Sequence, residues 1–306
     1  MDNMQKIPVF FTFDANYLLA AKVAIHSMMK HASRQYWYEL YVFHTTLSPK
    51  AQQSLRNSLK EFTHTELHFI DVTQYNEKIK NFGTKAHYSK EIFYKLIATD
   101  VLPQYDRIIC SDVDVVFTGD FSPVFFMFPN EKFYYAGVGP VENSRMPYYR
   151  KDFSTTEMEI LEHEIAAGFL LINLKELRND HKQEEIINFY VNNYPRLRLP
   201  EQDCIILTCW PYIKYLPIDY SLPISFYRLN MNQRDFYQGN TEFAGDKATA
   251  LAKFNKGLAH PVQIHYAGFD KPWNCFRLTR RQDWIKAMKS TPGGMVFDLK
   301  SLRRNT

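Results

Sequence analysis

Cysteine is scarce in this chain and scattered. Its four residues, Cys110, Cys204, Cys209 and Cys275, form no C-x-x-C pair, which argues against a disulfide framework or a zinc ribbon and fits reduced thiols. Long apolar runs are missing as well. Nothing approaches the roughly 20 residues that cross a bilayer, so any membrane contact is expected to be peripheral. Charge of one sign is in little excess: a net charge of +4 over 306 residues, with no basic run interleaved with aromatics, argues against a dedicated nucleic-acid binder. The opening residues carry no basic segment followed by an apolar one and a small-residue cleavage site, so a cytoplasmic protein is expected. No internal repeat or low-complexity tract interrupts the chain, and 45% hydrophobic content suffices for a substantial core.

What the chain does have is alternation of strand and helix signals. Residues 7–13 read as an apolar strand that turns at Asp14-Ala-Asn16 into an amphipathic helix. Residues 39–43 form a second strand, and Ser48-Pro49 offer an N-cap and N1 proline for a helix reaching Phe62. A third strand covers residues 66–71, and a helix is expected over residues 89–102. Later strands fall at residues 133–138, 168–173 and 262–266, with helices over 183–193 and 201–210. A polar, aromatic insertion over residues 142–164 suits a lid or acceptor loop. The alternation predicts an α/β fold, with a Rossmann-like, mostly parallel twisted sheet, helices on both faces and an irregular C-terminal part from about Gly268.

The most informative stretch runs from Arg107 to Phe117, an apolar strand carrying Asp112-Val113-Asp114. In open α/β sheets, ligands gather beyond the carboxyl ends of such strands. Side chains two apart on an extended chain share a face, so the two acids would repel unless a cation sat between them. A hard divalent ion shared with a substrate's phosphates answers that need. The bland alternative, one acid capping the next element and the other in water, loses ground beside Ile108, Ile109, Val115, Val116 and Phe117, because buried carboxylates are costly unless paired.

Five separated blocks carry a resemblance. They are Phe11-Thr12-Phe13-Asp14-Ala-Asn16-Tyr17, Ser89-Lys90 with Tyr94-Lys-Leu, Asp112-Val113-Asp114, Ala167-Gly168 followed by Leu171-Ile-Asn-Leu, and His265-Tyr-Ala-Gly268-Phe-Asp-Lys271-Pro-Trp273. Together they resemble the family 8 glycosyltransferases, retaining enzymes of the GT-A fold that include bacterial lipopolysaccharide galactosyl- and glucosyltransferases and glycogenins. The resemblance implies that Asp112, Asp114 and His265 ligate Mn²⁺, with Mg²⁺ as the alternative, and that the diphosphate of a UDP-sugar completes the shell. It implies that Thr12, Phe13, Asp14, Asn16 and Tyr17 hold uracil and ribose, Tyr17 by stacking. Lys90, Val113, Ala167, Gly168, Glu201, Gln202, Gly268 and Lys271 would complete the donor site, with Gln202 and Lys271 as catalytic groups. UDP-glucose or UDP-galactose is the implied donor, and a glycan, lipopolysaccharide or glycoprotein hydroxyl the acceptor. Residues 1–267 would form the catalytic domain, and residues 268–306 would close the donor site and end in a basic helical tail.

Two positions depart from the family's commoner pattern, Ala166 in place of asparagine and Glu201-Gln202-Asp203 in place of Asp-Gln-Asp. Gly139-Pro140 stand where an acidic residue is usual. Two rival readings were weighed. Asp112-Val-Asp-Val115 also fits a haloacid-dehalogenase-type phosphatase, whose first aspartate is the nucleophile, although that motif normally opens its domain. The other rival is an inactive glycan-binding protein on a transferase fold. Finally, Arg277, Arg280, Arg281, Lys286, Lys289, Lys300, Arg303 and Arg304 surround Trp284, Ile285, Met288, Val296, Phe297 and Leu299, which suits either an anionic membrane face or a solvated basic helix.

Overall fold

The computed structural model describes residues 4–80, 89–140, 151–228 and 245–294. A seven-stranded sheet runs in the order β3-β2-β1-β4-β7-β6-β8. Its strands are β1 (Lys6–Thr12), β2 (Trp37–His44), β3 (Thr65–Asp71), β4 (Ile108–Ser111), β6 (Tyr135–Val138), β7 (Phe169–Ile172) and β8 (Ile213–Leu216). Only β7 runs against its neighbours β4 and β6; the other pairings are parallel. The pleat divides β1 between two cores. Ile7, Val9 and Phe11 pack with α1 (Leu18–His31) and α2 (Pro49–Ser58), while Phe10 joins a cluster beneath α7 (Lys182–Asn193) and α8 (Pro200–Cys209). Both faces are thus covered, which is why β1 and β2 read as unbroken apolar runs. The expected mostly parallel α/β architecture is present.

The smaller elements are α3 (Asn76–Ile79), α4 (Ala98–Val101), α5 (Thr155–Leu161), α6 (Leu174–Asn179), α9 (Lys247–Ala259) and α10 (Arg281–Ser290). Among the described residues, no helix is long and apolar enough to cross a membrane. None of the four cysteines forms a disulfide.

Several expectations need correction. The strand expected from residue 107 to 117 breaks at the acids. After β4, the segment β5 (Val115–Phe117) leaves the large sheet and pairs with β10 (Gln263–His265), itself beside β9 (Leu222–Pro223), in a second, three-stranded sheet. Asp112, Val113 and Asp114 therefore lie in the crossover between two sheets. The helix expected to reach Phe62 ends at Ser58, because Leu59 leaves helical geometry (φ −111°, ψ 3°) and its N–H turns back to Arg56 O. Its start is as expected, with Ser48 accepting from Ala51 N at 3.3 Å.

Residues 90–97 form a 3-10 helix rather than an α-helix, and α4 ends at Val101 because Pro103 disfavours the helical conformation at Leu102 (φ −128°, ψ 58°). In the insertion, residues 142–150 lie outside the described residues, and the rest carries α5, started by a capping box of Ser154 and Glu157. In the C-terminal part, α10 buries Trp284 and Met288 against Val23, Val116, Ile264 and Tyr266, so its apolar face is covered by the protein itself. Val296, Phe297, Leu299, Lys300, Arg303 and Arg304 lie outside the described residues.

Candidate active site

Register explains how three distant residues meet. His265, the last residue of β10, is the cross-strand partner of Val115, which follows Asp114. Tyr266 N donates to Asp114 O at 2.9 Å, locking that corner. On the other side, Asp112 N donates to Gly168 O at 2.9 Å where β7 begins beside β4. The outcome is a cluster in which one ligand atom each from Asp112, Asp114 and His265 lies within 4.8 Å of the others. His265 Nε2 stands 3.6 Å from Asp112 Oδ2 and 3.3 Å from Asp114 Oδ1. Two carboxylates and an imidazole form a donor set suited to Mn²⁺, so the residues present fit the metal that the sequence implied. Gly168 permits the close approach, because a Cβ there would lie 2.5 Å from Cε1 and Nδ1 of His265.

Two buried lysines balance the acids. Lys271 Nζ lies 2.6 Å from Asp114 Oδ2 and donates to Tyr266 O at 2.9 Å. Burial raises the Asp114 carboxyl, but His265 and Lys271 overcome it and hold the group well below the usual carboxylate range. Lys95 is the residue that sequence reasoning missed. Its ammonium is 2.6 Å from Asp112 Oδ1, 3.2 Å from Glu201 Oε1 and 3.0 Å from Ala167 O. Burial opposes its charge, and Asp112 and Glu201 more than restore it, so its pKa rises. Burial pushes the Glu201 carboxyl up, Lys95 pulls it back only in part, and Asp112 adds to the rise.

These groups line a cavity of about 510 Å³ that also takes in Thr12, Phe13, Asp14, Tyr17, Val113, Glu164, Ala167, Gly168, Gln202 and Gly268. Asp14 plays a structural part as well: its Oδ1 accepts from Asn16 N at 2.9 Å and from Tyr17 N at 3.2 Å, capping the 3-10 turn Ala15–Tyr17. Tyr17 meets Trp273 edge to face, with centroids 5.8 Å apart. Burial, then Asp114, Asp14 and Asp112, push its hydroxyl up to about 12. Gly268 adopts φ +98°, a conformation that favours glycine. Two expected residues are not brought in. Asn16 is exposed and serves Asp14 through its amide at 3.0 Å, and Lys90 is exposed while Ser89, Glu91 and Ile92 line the wall.

Residues 8–276 match the family model described as glycosyl transferase family 8. The chain belongs to this family. It is 22% identical over 283 residues to the lipopolysaccharide 1,2-glucosyltransferase of Escherichia coli, covering 90% of this chain and 75% of that protein. It is 21% identical over 278 residues to glycosyltransferase GlyF of Streptococcus pneumoniae serotype 4, covering 89% of this chain but 59% of the relative. Among solved structures, galactosyltransferase LgtC in complex with donor and acceptor sugar analogs aligns with a TM-score of 0.69 at 16% identity, over 93% of this chain and 96% of that one. The bifunctional glycosyltransferase WbbM aligns at 0.74 and 22% identity, over 95% of this chain and 51% of that one. The GT-A fold is therefore shared, and family 8 membership makes this chain a glycosyltransferase and sets aside the phosphatase reading of Asp112.

Proposed function

We propose that this family 8 glycosyltransferase moves a hexose, glucose or galactose, from a UDP-sugar to a hydroxyl of a glycan, lipopolysaccharide or glycoprotein, with Mn²⁺ bound and with retention at the anomeric carbon. The observation that carries the reading is the convergence of Asp112, Asp114 and His265, with Lys271 against Asp114, inside one cavity with Thr12, Asp14 and Tyr17. Asp112, Asp114 and His265 would hold the ion, which when bound supplies Lewis-acid stabilisation to the diphosphate.

The chain's own residues do the rest. Tyr17 offers a flat ring for uracil, and Thr12 and Asp14 offer polar groups for base and ribose. Lys271, protonated and buried, adds a fixed positive charge where negative charge grows on the leaving phosphate. The leaving group needs no proton from the protein. Gln202 lies on the far side of the sugar by family analogy and, as an amide, is a poor nucleophile, so the acceptor attacks from the face the diphosphate leaves.

Residues 1–267 form the catalytic domain in this reading, and residues 268–271 bring Gly268 and Lys271 to it. The activity is placed in the cytoplasm, against a membrane face where the acceptor is lipid-linked. Titration with UDP-glucose, UDP-galactose and other UDP-sugars, scoring affinity and hydrolysis with Mn²⁺ and with chelator, tests the proposal. Metal-dependent turnover of a UDP-hexose supports it and separates an enzyme from an inactive glycan binder; binding without turnover of any donor opposes it.

A further inference from the structure

Glu164 belongs to none of the motifs described above, yet its side chain is buried at 8% exposure in the wall of the donor cavity. The backbone around it is pinned. Glu164 N donates to Leu161 O at 3.3 Å, Ala166 N donates to Val138 O at 2.8 Å, and the Tyr215 hydroxyl donates to His163 O at 3.1 Å. The His163 ring also stacks on Trp210, with centroids 4.0 Å apart and planes 9° from parallel. From this fixed base, Glu164 Oε2 accepts from Gln202 Nε2 at 3.1 Å, while Gln202 Oε1 accepts from Ala167 N at 3.2 Å. An ionised carboxylate offers no proton and a backbone N–H no lone pair, so these two partners permit only one orientation of the amide. The Ala167 peptide is itself anchored through its carbonyl to Lys95, and through Lys95 to Asp112.

We infer that Glu164 is a positioning residue for the transfer step, holding the Gln202 carboxamide in a single orientation against the cavity. The inference rests on the part proposed for Gln202. A charge-assisted hydrogen bond is roughly twice as strong as a neutral one, so the ionised carboxylate clamps the amide more firmly than a neutral acceptor would. Ala166 adds no polar side chain to the same stretch of wall, which leaves the Glu164 carboxylate and the Gln202 amide as its neighbouring polar pair.

The test measures hydrolysis of UDP-glucose and UDP-galactose in Mn²⁺, UDP affinity and melting temperature for Glu164→Ala, Glu164→Gln, Gln202→Ala and the Glu164→Ala/Gln202→Ala double variant. Glu164→Ala is expected to lower turnover about tenfold, the size of a typical coupling between contacting residues, with UDP affinity unchanged within about twofold. Glu164→Gln keeps an acceptor oxygen and should recover most of the rate, and the double variant should be no slower than Gln202→Ala alone. A slow Gln202→Ala beside a full-rate Glu164→Ala overturns this inference alone, as do losses that multiply in the double variant. A full-rate Gln202→Ala overturns the reading of Gln202 and this inference with it.

Discussion

Replacing Lys95 with methionine, which keeps the length of the stem and removes the ammonium, should damage the fold more than the loss of an ordinary salt bridge. Lys95 is 2% exposed and bridges Asp112 at 2.6 Å and Glu201 at 3.2 Å. Surface pairs contribute about 0–1 kcal/mol, but removing one partner of a buried pair costs about 3–5 kcal/mol because a charge is left without compensation. The two orphans are not equal. Asp112 keeps 24% side-chain exposure and faces His265, whereas Glu201 is 6% exposed and its Oε2 already lacks a hydrogen-bond partner. Most of the penalty should therefore come from Glu201.

Urea unfolding of Lys95→Met should show a loss of about 3–5 kcal/mol, and melting should fall by roughly 10 °C. Glu201→Gln in the Lys95→Met background should return more than half of that loss, since a neutral amide needs no counter-charge. A Lys95→Met protein that loses less than about 1 kcal/mol, or a Glu201→Gln change that returns nothing, would refute the reasoning.

Other consequences can be checked alongside. Gly168→Ala should weaken Mn²⁺ binding by about 10- to 100-fold, as when the support of a metal ligand is disturbed, because the new methyl needs the space of the His265 ring; calorimetric titration giving wild-type affinity would contradict this. Burial lowers the pKa of His26, His44 and His64 below the ordinary 6.5, so below that pH the unfolded chain takes up protons that the native imidazoles refuse. Their contribution is complete above pH 6.5 and is lost as pH falls below it, by about 1.4 kcal/mol per pH unit for each imidazole that stays neutral. Melting temperature should therefore drop between pH 7.5 and 5.5, and a flat or rising profile would oppose the assignment.

Much of this architecture was legible in the sequence for physical reasons. Strands buried on both faces must be apolar, so β1, β2 and β7 announced themselves, and Ser48-Pro49 marked a helix start. Asp112, Asp114 and His265 were legible because polar residues at the ends of apolar strands are conspicuous. The break within residues 107–117 was not, since a chain that changes sheets and one that continues straight share the same apolar pattern. Lys95 was passed over inside Tyr94-Lys95-Leu96-Ile97, although a lysine amid residues headed for the core is itself a sign of a buried counter-charge. Glu164 left no signal, because its meaning depends on Gln202, which packing alone brings near. Asn16 and Lys90 failed in the opposite way: their sequence neighbours line the cavity while they face solvent.

The central claim is that Asp112, Asp114 and His265 jointly hold a divalent ion against a nucleotide diphosphate. Calorimetric titration of Mn²⁺ in the presence and absence of UDP, on the wild type and on Asp112→Asn, Asp114→Asn and His265→Ala, tests it most directly. The account predicts one Mn²⁺ whose binding is strengthened by UDP and weakened at least tenfold by each substitution in a folded protein. Binding of UDP that is indifferent to Mn²⁺, with all three variants matching the wild type, would contradict it.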